Sequence, residues 1–79
     1  MNKEIIDFVE RNSWFEWEDG NGTFATRENG RRGDHDEYGE KDYVEGIRVR
    51  KLLKQKFPSL HVNVETCDEW VLIEIEDED

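Results

Sequence analysis

The chain has 79 residues, enough for one small domain, and it carries 21 acidic against 11 basic side chains, a net charge of −10 at pH 7. Such acidity repels nucleic acid and anionic membranes and attracts basic partners. Leu, Ile, Val and Phe make up roughly a quarter of the residues, above the roughly 20% below which so charged a chain is expected to stay disordered. We therefore expect a single folded domain over residues 1–79 with a small core.

The single cysteine and the distribution of charge indicate in which cellular compartment the protein is expected. Cys67 is the one cysteine, so no intramolecular disulfide can form, and a reducing cytoplasm is the simplest home. The first 14 residues carry charges every few positions, unlike a signal peptide, and no apolar run approaches the 18 or so residues that cross a bilayer. We expect a cytoplasmic protein without a membrane partner.

Apolar residues recur at helical spacing over residues 2–12, which predicts a short amphipathic helix. Aromatic and β-branched runs then flank the Gly- and Asn-containing turn at 19–22, a hairpin signal. The predicted partners are Trp17 with Phe24 and Phe15 with Thr26 on one face, and Trp14 with Arg27 on the other, where Glu16 and Glu18 point to water.

Residues 28–40 are rich in glycine and charge and predict a mobile surface loop. A broad apolar stripe then predicts a helix over residues 41–56, which Pro58 terminates because the residue before proline avoids the helical region. The acids at the start of this helix and the lysines at its end suit the helix dipole.

The last segment predicts a second hairpin, with residues 66–69 as its loop and an acidic, frayed tail at 76–79. The expected pairs are Val64 with Val71, Val62 with Ile73 and Leu60 with Ile75 on one face, and Glu65 with Trp70, Asn63 with Leu72 and His61 with Glu74 on the other. The elements then follow in the order helix, hairpin, helix, hairpin. This order predicts an α+β domain in which two helices pack on one face of a four-stranded, mainly antiparallel sheet.

The acids form regular rows on the predicted strands. Side chains two positions apart on a strand lie about 6.6 Å apart on the same face. This spacing is compatible with the phosphates of a DNA strand, which follow at about 3.4 Å along the axis but are farther apart along the winding backbone. The alternative is a generic solvated acidic surface. The candidate partner-binding residues are Glu16, Glu18, Asp34, Asp36, Glu37, Glu40, Asp42, Glu45, Glu65, Trp70, Glu74 and Glu76.

The bases are concentrated in one segment. Residues 46–56 hold five bases and no acid, which leaves the other residues with six bases against 21 acids. Because the surrounding acids oppose a polyanion, we expect these bases to cover apolar surface, to pair with the protein's own acids, or to mark a partner's acidic site. In a homodimer they could meet the acidic face of the other copy.

The remaining polar groups do not indicate a catalytic or metal-binding site. The acids around His35 lack the ligand pattern of a calcium loop, His61 beside Glu74 fits a surface pair, and negative neighbours raise the pKa of a thiol such as Cys67. We expect no catalytic residue, metal or cofactor. Trp14 and Trp70 fall on polar faces, where each is either an interface anchor or partly buried.

Two resemblances bear on function. The segment 47–75, with its helix, Phe-Pro break and alternating hairpin, resembles a domain associated with large polyvalent proteins of phages and mobile elements, a family with no well-defined activity. In size, acidity and lack of catalytic motifs, the whole chain is similar to the DNA-mimic inhibitors that bacteriophages make against host nucleic-acid-binding proteins. That likeness implies a bacteriophage protein that acts in the host cytoplasm.

The leading expectation is a non-catalytic inhibitor that occupies the DNA-binding surface of a basic host protein, such as a nucleoid protein, a restriction enzyme or a CRISPR effector, without binding nucleic acid itself. The alternative is a structural or adaptor module that binds a protein through Trp14 and Trp70, with homodimerisation as one form of it. A third reading, a small metal-dependent enzyme that uses His35 and its acidic neighbours, is the least favoured.

Overall fold

The structure is a computed structural model that describes residues 2–26, 40–67 and 70–76, with the backbone alone for Glu40, Cys67 and Trp70. The elements of this part are α1 (Lys3–Asn12), β1 (Phe15–Glu18), β2 (Thr23–Thr26), α2 (Glu40–Lys56), β3 (His61–Cys67) and β4 (Trp70–Glu76). The four strands form one antiparallel sheet in the order β1-β2-β4-β3. The prediction of an α+β domain with two helices and a four-stranded antiparallel sheet is therefore confirmed.

Both helices lie within one residue of their predicted bounds. Helix α1 begins after Asn2, whose side-chain oxygen accepts a hydrogen bond from the Glu4 amide at 2.8 Å, an N-cap contact that satisfies one unpaired amide of the first turn. Helix α2 ends at Lys56, and the Phe57 amide closes the last turn on the Leu53 carbonyl at 2.7 Å before Pro58 redirects the chain.

The register of the first strand pair is confirmed. Phe15 pairs with Thr26 and Trp17 with Phe24, and the Trp17 and Phe24 rings pack edge to face with centroids 5.0 Å apart. The connection spans residues 19–22, and Gly22 adopts a positive φ of 69°, which glycine does without steric cost. The predicted pairing of Trp14 with Arg27 lies outside the described residues.

The predicted register of the second strand pair is wrong by two residues. Val64 pairs with Ile73 and Val62 with Ile75, because Cys67 pairs with Trp70 and only two residues, rather than four, connect the strands. A shift of two keeps every side chain on its predicted face. The corrected pairs on the other face are Glu65 with Leu72, Asn63 with Glu74 and His61 with Glu76.

The description as helix, hairpin, helix, hairpin is too simple. Along the chain the order is helix, two strands, helix, two strands, and the two strand pairs join in the middle of the sheet, where Phe24 pairs with Ile73 and Ala25 with Leu72. Helix α1 packs on β1 and α2 packs on β3 and β4, over one shared core. The buried core residues are Ile5, Val9, Phe15, Phe24, Val49, Leu53, Leu60, Val64, Val71 and Ile73.

Gly46 of α2 faces the sheet at close range. A methyl group added at its Cα would lie 2.8 Å from Val64 Cγ1, which is closer than van der Waals contact allows, and 3.5 Å from Phe15 Cζ, an ordinary contact distance. Packing therefore favours a glycine here, although glycine inside a helix costs about 1 kcal/mol relative to alanine.

Candidate functional site

One face of the sheet lies opposite the two helices, and we call it the open face. It follows from alternation along the strands: Phe15 and Trp17 point toward the helices, so Glu16 and Glu18 point away. The described side chains of the open face are Glu16, Glu18, Thr23, Ala25, His61, Asn63, Glu65, Leu72, Glu74 and Glu76. The predicted rows of glutamates on β1, β3 and β4 are thus brought onto a single surface.

The glutamates of the open face form two groups with an uncharged strand between them. Glu16 and Glu18 lie on β1, and Glu74 and Glu76 lie on β4 with Glu65 of β3 beside them. Strand β2 separates the groups, and its described side chains on this face are Thr23 and Ala25. Since neighbouring strands are about 4.8 Å apart, the two acidic groups lie on strands about 10 Å apart.

The strand register places Glu16 of β1 and Glu65 of β3 at the same level across the sheet. Glu16, Ala25, Leu72 and Glu65 follow in one line across the four strands. The carboxylates differ in exposure: Glu18, Glu65 and Glu76 are exposed, and Glu16 and Glu74 are half-buried.

Asn63 connects two of these acids, a contact that the sequence analysis missed. Its side-chain amide donates to Glu65 Oε2 at 2.8 Å and lies 3.4 Å from Glu74 Oε1. One neutral amide therefore holds carboxylates from two strands beside each other without adding a positive charge. The contact was missed because the predicted register placed Asn63 opposite Leu72 rather than opposite Glu74.

Among the described bases of α2, Arg48, Lys54 and Lys56 contact groups of the same chain. Arg48 donates to Glu45 at 2.9 and 2.6 Å and to the Asn12 carbonyl at 2.6 Å. The hydrogen bond to Glu45 raises the pKa of Arg48 above its ordinary value. The prediction that these bases pair with the protein's own acids is confirmed for Arg48.

Two lysines at the end of α2 contact neighbouring apolar and backbone groups. Lys56 Nζ lies 5.7 Å from the ring centroids of both Phe8 and Phe57, within cation–π range. Lys54 donates to the Leu60 carbonyl at 3.2 Å and ties the helix end to the chain that enters β3. The prediction that the bases cover apolar surface is confirmed for Lys56.

Asp42 is a correction to the predicted site. Its side chain is 0% exposed, and its Oδ1 accepts a hydrogen bond from Trp14 Nε1 at 2.7 Å. A carboxylate without exposed surface cannot contact a partner, so Asp42 belongs to the interior. The same bond answers the question about Trp14, which is half-buried against α2 with its polar edge occupied.

Glu45 is also less available than the sequence suggests. Its side chain is only 11% exposed, and the ion pair with Arg48 compensates its charge. Other predicted site residues lie outside the described part of the chain. They are Asp34, Asp36 and Glu37, together with the side chains of Glu40 and Trp70.

A groove of about 600 Å³ indents the end of the sheet at which β2 begins. Thr23, Asn63 and Glu74 of the open face line it, together with Lys54.

His61 pairs with Glu76 rather than with the predicted Glu74. Within residues 2–26, 40–67 and 70–76 no three potential metal-ligating side chains cluster, and the described helices include none able to span a membrane. The predicted metal alternative at His35 lies outside these residues.

Comparisons with protein-family models, with curated proteins and with solved structures found no match to this chain.

Proposed function

We propose that the protein is a non-catalytic inhibitor that imitates nucleic acid and occupies the DNA-binding surface of a basic host protein through the open face. The observation that supports this most is the placement of five glutamates, from three strands, on that face. No Lys or Arg is among the described side chains of that face, although Lys54 of α2 lines the groove at one end of the sheet. The described part of the sheet thus presents acids and no bases on this face.

Rigidity is the physical reason why such a face can act as a mimic. Carboxylates on paired strands are held in position before the partner arrives, so less conformational entropy is lost on binding. Each carboxylate can accept short, charge-assisted hydrogen bonds from Lys or Arg, as a phosphate does. Asn63 reduces the freedom of Glu65 and Glu74 further, because it hydrogen-bonds to both.

The two-group arrangement suits a duplex better than a single strand. A duplex presents two phosphate rows with a groove between them, and the groove width is about 6 Å for the minor groove and about 12 Å for the major groove. The open face presents acids on strands about 10 Å apart, with short side chains between them. A basic side chain that normally enters a groove could therefore lie beside Thr23, between the two groups of carboxylates.

The partner in this proposal is a nucleic-acid-binding host protein of the nucleoid, restriction or CRISPR type, and the site of action is the host cytoplasm during bacteriophage infection. The acids 34, 36, 37 and 40 remain candidates for an extension of the binding surface. The adaptor alternative loses support as far as it depends on Trp14 as an exposed anchor, because the indole N–H of Trp14 is already bound to Asp42.

The test is capture from bacterial lysate on the immobilised protein, followed by elution with duplex DNA. We expect a nucleic-acid-binding protein to bind at about 50 mM salt and to be released by DNA, and also by about 200 mM salt because screening weakens exposed charge pairs. A captured protein that DNA does not displace would contradict the proposal.

A further inference from the structure

The sheet has two edges, and they differ in how their outward backbone groups are satisfied. At the β1 edge, Ser13 Oγ accepts from the Phe15 amide at 3.1 Å and Glu10 Oε2 accepts from the Trp17 amide at 3.0 Å. Strand β1 is also only four residues long. Short length and side-chain acceptors are ordinary means by which proteins prevent an edge strand from pairing with another chain.

Strand β3, at the other edge, has none of these protections among the described residues. It is seven residues long, pairs with β4 without a bulge, and contains neither proline nor lysine. Its pairing also shows which amides point outward. Cys67 and Trp70 flank a two-residue connection, so this pair exchanges both of its backbone hydrogen bonds. Every second residue pair from there along the hairpin does the same. The amides of Val62 and Val64 therefore point away from β4.

We propose that a second copy of this chain pairs with β3 along this edge, antiparallel and centred on Asn63. In that register Val62 of one copy lies opposite Val64 of the other, and His61 lies opposite Glu65. The strand is thus complementary to itself on both faces, with aliphatic pairs toward the helices and an imidazole beside a carboxylate on the open face. A register centred on Glu65 would place two like charges directly opposite each other.

The product would be a continuous eight-stranded sheet whose two open faces adjoin. This inference does not depend on the proposed inhibitor function, and salt separates the two. Two copies of net charge −10 repel each other, so salt should strengthen the dimer. The same salt should weaken the binding of a basic partner.

The experiment measures self-association of the full chain by sedimentation equilibrium up to about 1 mM protein, at low and high salt. We expect a dimer that tightens with salt. His61→Glu should weaken it about tenfold, because two symmetric cross-strand pairs are lost together. The swap His61→Glu/Glu65→His should restore it. Gln55→Glu adds the same charge at an exposed position of α2 and serves as the control, with at most a small effect.

Hydrogen exchange supplies a second reading that does not depend on any variant. The amides of Val62 and Val64 should exchange more slowly as the protein concentration rises, whereas the Asn63 amide, already bonded to β4, should not change. A monomer at every concentration and salt would overturn the proposal. So would a dimer that is indifferent to the charge swap or leaves these two amides unprotected, because it would use another surface.

Discussion

Asp42 is a buried carboxylate in the first turn of α2, and it joins that helix to the bend before β1 through Trp14 Nε1. We expect Asp42→Ala to lower the free energy of unfolding by about 1–3 kcal/mol, because it leaves the indole N–H without this acceptor. Asp42→Asn keeps an oxygen acceptor and should cost less. Urea unfolding of both variants measures the difference, and equal losses would show that the hydrogen bond is not what matters.

Gly46 gives a second prediction at the scale of one residue. In a free helix Gly→Ala would stabilise by about 1 kcal/mol, but here the added methyl group meets Val64 Cγ1 at 2.8 Å. We expect a net destabilisation of about 1–3 kcal/mol from overpacking.

The double variant Gly46→Ala/Val64→Ala removes the methyl group that causes this conflict. Its loss of stability should be smaller than the sum of the two single losses. Thermal or urea unfolding of the four proteins decides it. Additive losses, or a stabilised Gly46→Ala variant, would mean that the helix can move away from the sheet at little cost.

At the scale of elements, Arg48 links the two helices, since it contacts Glu45 on α2 and the last carbonyl of α1 at Asn12. The Arg48 side chain is half-exposed, so the contribution of this ion pair to global stability should be small, within about 1 kcal/mol. The effect should be local: in Arg48→Met, the amides of α1 should exchange faster while those of β4 do not change. Lys51→Met, an exposed base on the same helix, is the control. Unchanged α1 exchange would contradict this role of Arg48.

The strands show what the sequence could and could not predict. Alternation gave the correct face for Glu16, Glu65 and Glu74, because a period of two survives a register error of two. The register itself depends on the connection at 68–69, where a four-residue loop satisfied the same alternation. The pairing of β2 with β4 has no local signal in the sequence, since it joins strands that are separated by a helix.

At the scale of the whole molecule, the sheet brings five glutamates onto one face. The acids of the open face were predictable from alternation, but their assembly into two groups around β2 was not, because it follows from the strand order β1-β2-β4-β3. The burial of Asp42 was not predictable either. An acid in the first turn of a helix ordinarily stays in water, and here its partner Trp14 lies 28 residues away along the chain.

The central claim is that position on the open face, rather than total acidity, gives the protein its affinity for a basic partner. The direct measurement compares dissociation constants for a captured partner at one salt concentration, using two double variants that each remove two negative charges. Glu18→Gln/Glu76→Gln alters exposed acids of the open face, and Glu4→Gln/Asp7→Asn alters acids of α1. We expect the first to weaken binding at least about tenfold, or about 1.4 kcal/mol, and the second less than about twofold. Equal losses would show that general charge attraction suffices and would contradict the account.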